Sequence, residues 1–191
     1  MQIQGNRRLL RTLVLLSVPW CLVSMLGFAG LSALVRPQGW TFNLQDVSLV
    51  TVLAVAVGGL VITPVIVILL HEGVHAVLLW IFTGTRPVIG YKGWYAYADA
   101  PGWFLPRWPT VVVLLAPLIV LPATGVPLIA LATPGLSLLI LYGLWINAVA
   151  AIGDMYSTWV VMRIRGPVLF GDTPGAKPGE AGSWFLPGSQ A

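Results

Sequence analysis

The chain contains two histidines, and both lie in the segment His71-Glu72-Gly73-Val74-His75. On a helix, residues four positions apart lie on the same face one turn apart, so the two imidazoles can reach one metal ion. The intervening Glu72 is then placed to take a proton from a water molecule that the metal activates. This spacing is typical of zinc-dependent hydrolysis, with His71 and His75 as ligands and Glu72 as general base.

A different interpretation is that these residues form a buried polar cluster that only supports helix packing. Their surroundings weigh against it, because residues 48–82 are otherwise free of charge. A charged side chain at the centre of a membrane span costs about 2.5–3.5 kcal/mol on insertion scales, so such side chains are rare unless they are used. The segment therefore favours a metal site.

A catalytic zinc ion generally has three protein ligands and a water molecule. The sequence has no third histidine and one cysteine, Cys21, so a carboxylate is expected as the third ligand. Asp154 fits by its depth in the membrane. It and the histidines lie about 8–12 residues, or roughly 12–18 Å, from the cytoplasmic ends of the two membrane spans predicted below that contain them. Asp99 in the preceding loop is the main competitor, and capping of a helix break beside Gly153 is the other role open to Asp154. The remaining acidic candidates are Asp46, Asp172 and Glu180.

The composition indicates that this site lies in a membrane. Hydrophobic residues make up 58% of the 191 residues and charged residues 8%, and the mean hydropathy is +0.90. A water-facing domain carries about a quarter charged residues, so the surplus apolar surface needs lipid as its solvent. This excludes a cytosolic enzyme, a nucleic-acid-binding protein and a disulfide-stapled secreted domain.

We predict an all-α membrane protein with about four transmembrane helices, at residues 9–35, 48–82, 108–133 and 136–162. Each stretch exceeds the roughly 20 apolar residues that a span needs. Thr63-Pro64 predicts a break or strong tilt in the second span, and three prolines predict kinks in the third. Residues 1–165 are predicted to form one membrane domain, followed by a flexible cytoplasmic tail over 166–191.

The basic residues predict the orientation. All ten Lys and Arg residues except Arg36 fall on one side of a four-span arrangement. Since basic residues favour the cytoplasmic side, both termini are expected to face the cytoplasm in a multi-pass cell-membrane protein. The first span resembles a signal peptide in its basic start, but its apolar run exceeds the roughly 7–15 residues of an h-region, which favours an uncleaved anchor.

Two further features lie near the predicted site. The aromatic-rich loop between the second and third spans is expected to be cytoplasmic or re-entrant, and Tyr95-Ala96-Tyr97 alternates like a short strand. Such a strand can offer its edge to an unwound substrate, or its aromatic side chains can simply anchor the loop at the headgroups. Asn147, two helical turns before Asp154, is a candidate catalytic residue that donates to an oxyanion or to substrate, or a hydrogen bond between helices.

Together, the histidine motif in a span, the aromatic loop, Ala116-Pro117, Asn147 and Gly153-Asp154 resemble a multi-pass membrane family described as zincin peptidases of otherwise unknown function. That family is similar to the site-2 intramembrane metalloproteases. The resemblance covers roughly residues 62–172. It implies Zn²⁺ binding by His71, His75 and Asp154, with Glu72 as general base.

The later span departs from the site-2 pattern. Those proteases usually carry an Asn, a Pro and a Leu-Asp-Gly there, whereas this chain has Ile152-Gly153-Asp154 and no Pro between Asn147 and Asp154. A second Gly-Asp pair, Gly171-Asp172, keeps Asp172 open as the carboxylate that the family pattern selects.

The predicted function is that of an intramembrane zinc metalloendopeptidase. It would hydrolyse peptide bonds of membrane-embedded proteins or peptides by means of a zinc-activated water. The alternative is a non-catalytic metal-binding or scaffold membrane protein. A transporter fits less well, because the chain shows four spans, no repeat and one polar cluster.

Overall fold

The computed structural model describes residues 7–41, 48–92, 95–173 and 182–187. Within these residues the helices are α1 (Arg7–Val35), α2 (Leu49–Thr83), α3 (Arg107–Leu131), α4 (Pro134–Ala150) and α5 (Ile152–Arg163). The strands are β1 (Val88–Lys92), β2 (Tyr95–Asp99), β3 (Leu105–Pro106), β4 (Val168–Thr173) and β5 (Gly182–Pro187). β1 and β2 form an antiparallel hairpin, and β3, β4 and β5 form an antiparallel sheet in that order.

In the described part of the chain, four helical segments are long and apolar enough to cross a membrane. They are Val14–Val35, Leu49–Thr83, Arg107–Leu131 and Pro134–Arg163. The fourth consists of α4 and α5, which are separated at Ala151. The predicted all-α membrane protein with four spans is therefore confirmed, and the chain is a multi-pass membrane protein.

Helix α2 is continuous through Pro64, so of the break or strong tilt predicted there, the break is wrong. Proline has no N–H for the carbonyl four residues earlier, which here belongs to Leu60. The Tyr142 hydroxyl of α4 lies 3.5 Å from that carbonyl oxygen and gives it a long hydrogen bond. Side chains from neighbouring helices can replace a missing backbone donor in this way, and the helix then need not break.

The ends of α2 follow from local sequence. The Ser48 hydroxyl accepts the Thr51 N–H and caps the first turn, whereas Gly84, at φ 68°, ends the helix in a left-handed conformation. The 35 residues between them span about 52 Å at 1.5 Å per residue. Since the hydrocarbon core is about 30 Å thick, α2 must tilt or project beyond it.

A close approach between α2 and α4 leads to the site. A Cβ atom on Gly143 would lie only 3.0 Å from Val67 Cγ2, so a larger residue would require Val67 to shift, and glycine favours this close approach of the helices. His71 lies one turn after Val67, and Asn147 lies one turn after Gly143. The contact therefore brings the first histidine of the motif beside Asn147.

Part of the segment predicted to be a flexible tail, Val168–Thr173, forms a strand in the structure. Strand β4 pairs with β3 in the register Leu105↔Phe170, and the Phe170 side chain is buried. Arg107 also donates to the carbonyls of Ile164 and Gly166. Burial of an apolar side chain and pairing with the loop before α3 explain why residues 168–173 form a strand. Residues 174–181 and 188–191 lie outside the described residues.

Candidate metal centre

Helices α2 and α5 bring three side chains together. The Nε2 atoms of His71 and His75 lie 3.2 Å apart. The Asp154 Oδ2 atom lies 3.1 Å from the first and 3.5 Å from the second. Both histidines are buried, with 4% and 8% of their surface exposed. The structure thus places these three predicted ligands at one point between two spans.

Asp154 reaches this point from the first turn of α5, just after the interruption at Ala151. Helix α5 packs against α3, and α4 packs against α2, so both parts of the fourth span flank the histidine motif. The two residues predicted from this span, Asn147 and Asp154, lie on opposite sides of the interruption. Even so, both contact the His71 ring, one at each nitrogen.

The second nitrogen of His75 is held by the backbone of α3. Its Nδ1 atom lies 2.9 Å from the Val113 carbonyl oxygen. A carbonyl oxygen can only accept, so Nδ1 must carry the proton of this hydrogen bond. In the neutral imidazole, Nε2 then presents its lone pair toward Asp154 and His71.

The His71 ring is held through Asn147. Asn147 Nδ2 donates to the Pro117 carbonyl over 3.0 Å, which fixes the orientation of the amide. Its Oδ1 atom therefore faces His71 Nδ1, at 2.9 Å, and accepts the proton on that nitrogen. The neutral His71 ring likewise directs the lone pair of Nε2 toward the cluster.

Three electron-pair donors thus face one another: two imidazole nitrogens and one carboxylate oxygen. With neutral rings no proton lies between them, so the arrangement is repulsive unless a cation is shared. Their separations of 3.1, 3.2 and 3.5 Å are close to the edges of a tetrahedron with Zn–ligand bonds of roughly 2.0–2.1 Å, which are about 3.3 Å. The donor set of two histidines and one aspartate suits Zn²⁺.

Glu72 lies on the cavity side of the cluster. Its carboxylate lies close to the backbone of Ala98 in β2, which lines the same cavity. With His75 and Asp154 it lines a cavity of about 320 Å³ between α2, α3, α5 and the hairpin. A carboxylate beside the cluster and facing this space is placed to exchange a proton with a water molecule there.

A family model whose description reads "Putative zincin peptidase" matches residues 64–166, more than half of the chain. The chain belongs to this family. The match extends from α2 to the loop after α5 and confirms the resemblance expected from the motifs. The searches of curated proteins and of solved structures gave no match.

The other acidic residues that the sequence offered as a third ligand in this zincin peptidase family member are not shown within the metal cluster. Among the described residues, the group of His, Cys, Asp and Glu side chains close enough to share a metal ion is His71, His75 and Asp154. Asp99 lies in β2 opposite Val88 and lines the same cavity, outside that group. Asp46, Glu180 and the side chain of Asp172 lie outside the described residues.

The environment of Asn147 matches the second of its two predicted roles, a hydrogen bond between helices. Its side chain is completely buried, and both atoms of its amide are engaged within the protein. These contacts favour a role in orienting His71 over direct contact with a substrate. The partners that sequence reasoning missed are the carbonyls of Val113 and Pro117, since backbone groups carry no residue-type signal.

Replacing Asn147 with leucine tests this orienting role. The shape is roughly kept, but the acceptor for His71 Nδ1 is lost. Loss of such an outer hydrogen bond typically weakens metal binding about 10–100-fold, and we expect a rise of that size in the Zn²⁺ dissociation constant. The measurement is competition with a chromophoric chelator in detergent solution.

A matched control for this variant is Ser137→Ala. Ser137 is also completely buried on α4, but it donates to the Ile129 carbonyl, away from the histidines. We expect Ser137→Ala to keep the wild-type Zn²⁺ affinity. Equal weakening by both variants would show that the loss comes from general damage to α4.

Proposed function

We propose that this protein is an intramembrane zinc metalloendopeptidase that cuts membrane-embedded proteins or peptides. The observation that carries the proposal is the convergence of His71, His75 and Asp154 beside Glu72, inside membrane-spanning helices. Membership of a zincin peptidase family supports the same chemistry. A scaffold would need the metal ligands but has no use for a carboxylate facing a cavity next to them.

The residues divide the work of hydrolysis. His71, His75 and Asp154 would hold zinc, which supplies Lewis acidity that polarises a carbonyl and makes a water molecule more acidic. Glu72 accepts one proton of the attacking water as its oxygen bonds to the peptide carbon. When the C–N bond breaks, Glu72 passes that proton to the leaving nitrogen. The buried hydrogen bonds of Asn147 and Val113 keep the imidazoles in place during this cycle.

The hairpin is placed to present the substrate. Within the described residues β2 pairs with β1, and its residues Ala96 to Asp99 line the cavity. The backbone of Ala98 lies close to Glu72, so β2 runs beside the site. We propose that an unwound stretch of substrate lies along it, because an extended peptide exposes the bond that a helix would shield.

The membrane orientation is also proposed here. Positive residues on the loop between α2 and α3, and after α5, place both termini on the cytoplasmic side of a cell membrane. Water and product would then exchange with the cytoplasm. Topology reporters fused to each terminus test this, and an exterior signal from either would contradict it.

The activity is tested with purified protein in proteoliposomes and fluorescent model transmembrane peptides. We expect cleavage that stops when a chelator removes zinc and returns when zinc is added back. Stoichiometric zinc without cleavage of any peptide, together with unfolding on zinc removal, would instead favour the non-catalytic scaffold.

The lining of the cavity predicts a preference at the cut site. Apolar side chains from three helices and β4 surround it, including Leu79, Leu114, Val160 and Phe170. A negatively charged side chain would lose its hydration there and would lie near the carboxylates of Glu72, Asp99 and Asp154. For a peptide series that varies one residue beside the cleaved bond, we expect kcat/KM at least about tenfold lower for Asp than for Leu. The same Asp placed several residues from the bond serves as the control, and equal rates at both positions would contradict the prediction.

A further inference from the structure

One proline of α3 lies behind both histidine rings. Residue 117 is proline and has no N–H, so the carbonyl four residues earlier, that of Val113, has no partner within the helix. This is the carbonyl that accepts His75 Nδ1, over 2.9 Å. An N–H at position 117 would donate to the same oxygen, which His75 would then have to share.

The carbonyl of the same proline serves the other histidine. Asn147 Nδ2 donates to the Pro117 oxygen over 3.0 Å, and the Asn147 oxygen accepts from His71. Pro117 is also among the most completely buried side chains of the described residues. The two hydrogen-bond chains that orient the histidines therefore meet within one turn of α3.

We propose that Pro117 is a positioning residue for both metal-ligating histidines, an inference that rests on the proposed zinc site. Its missing N–H leaves the Val113 carbonyl available to His75, and its own carbonyl fixes the Asn147 amide that orients His71. The device recurs in α2, where Pro64 frees the Leu60 carbonyl for the Tyr142 hydroxyl. Carbonyls freed by proline are thus bonded by side chains of neighbouring elements at two places in this protein.

The test is the Zn²⁺ dissociation constant of the full-length Pro117→Ala protein, measured by chelator competition. The new N–H bonds the Val113 carbonyl, so we expect binding about 10–100-fold weaker than in the wild type. The absorption spectrum of the Co²⁺-loaded protein should change as well, because it reports the geometry of the ligands. If Pro117 had only a structural role, Pro117→Ala would lower the unfolding temperature of the protein without changing the Co²⁺ spectrum.

Pro122→Ala is the matched control, since Pro122 lies in the same helix and frees the carbonyl of Leu118 instead. We expect it to keep the wild-type dissociation constant and Co²⁺ spectrum. Equal weakening by both variants would overturn the proposal.

A second variant separates the missing N–H from the proline ring and serves even if Pro117→Ala does not fold. Lactic acid introduced at position 117 by nonsense suppression has the methyl group of alanine but no N–H. We expect it to retain the wild-type Zn²⁺ affinity, and an affinity as low as that of Pro117→Ala, or well below the wild type, would overturn the proposal. Wild-type protein that binds no zinc would refute the proposed function itself, whereas zinc bound equally by the wild type and Pro117→Ala would refute this inference alone.

Discussion

Glu72→Gln is expected to abolish peptide cleavage while about one zinc ion per chain stays bound. The amide keeps the shape of the side chain, but it cannot take a proton from water. General-base catalysis typically contributes about 10²–10⁴-fold to the rate, and we expect a loss of at least that size. Cleavage of a model transmembrane peptide and elemental analysis of the same preparation measure the two quantities.

The control for this variant is Asp99→Asn, which removes a carboxylate from the lining of the same cavity outside the metal cluster. We expect it to keep its zinc and to cleave the peptide far faster than Glu72→Gln does. Cleavage that survives in Glu72→Gln would contradict the proposed mechanism, and loss of zinc in that variant would show that Glu72 acts on the metal site instead.

The second large effect is expected for Asp154→Ala, which should lose stoichiometric zinc and with it all cleavage. The variant removes the only carboxylate among the described residues that lies within ligand distance of both imidazoles. Losing a direct ligand should weaken binding by more than the roughly 10–100-fold that an outer hydrogen bond contributes. The measurement is zinc per chain after dialysis against a weak chelator.

Asp99→Ala and Asp172→Ala complete that comparison, because both carboxylates were alternatives from the sequence. We expect both variants to retain about as much zinc as the wild type. If Asp154→Ala kept its zinc and one of these lost it, the third ligand would be assigned to the wrong residue. Size-exclusion chromatography checks that the Asp154→Ala protein is folded, because a folded variant elutes at the same volume as the wild type.

The spans were predictable because lipid leaves few choices. Every backbone polar group must be bonded within the membrane, so an uncharged apolar stretch of sufficient length forms a helix. The bounds of α2 and α3 therefore differ from the predicted ones by at most a few residues. The pairing of the histidines with Asp154 was predictable for a related reason, since depth is counted along helices of constant rise.

Three features of the structure depend on contacts with distant elements that the sequence does not reveal. Pro64 suggested a break, yet the Tyr142 hydroxyl reaches the carbonyl that it frees. Asn147 was predicted to contact substrate or to bond between helices, and the Pro117 carbonyl that holds its amide could not be identified from the sequence. Residues after position 165 suggested a mobile tail, but Phe170 is buried and its strand pairs with β3. In each case the deciding partner comes from an element distant in sequence.

The sequence by itself determined the membrane-spanning helices, the histidine pair one turn apart and a carboxylate at the same depth, because hydrophobic length and helical rise are local properties. Only the tertiary structure decided which way each imidazole faces and what holds the Asn147 amide. Those outcomes depend on hydrogen bonds to backbone carbonyls. Every residue has such a carbonyl, so the sequence does not show which one a side chain will reach until the fold brings the two together.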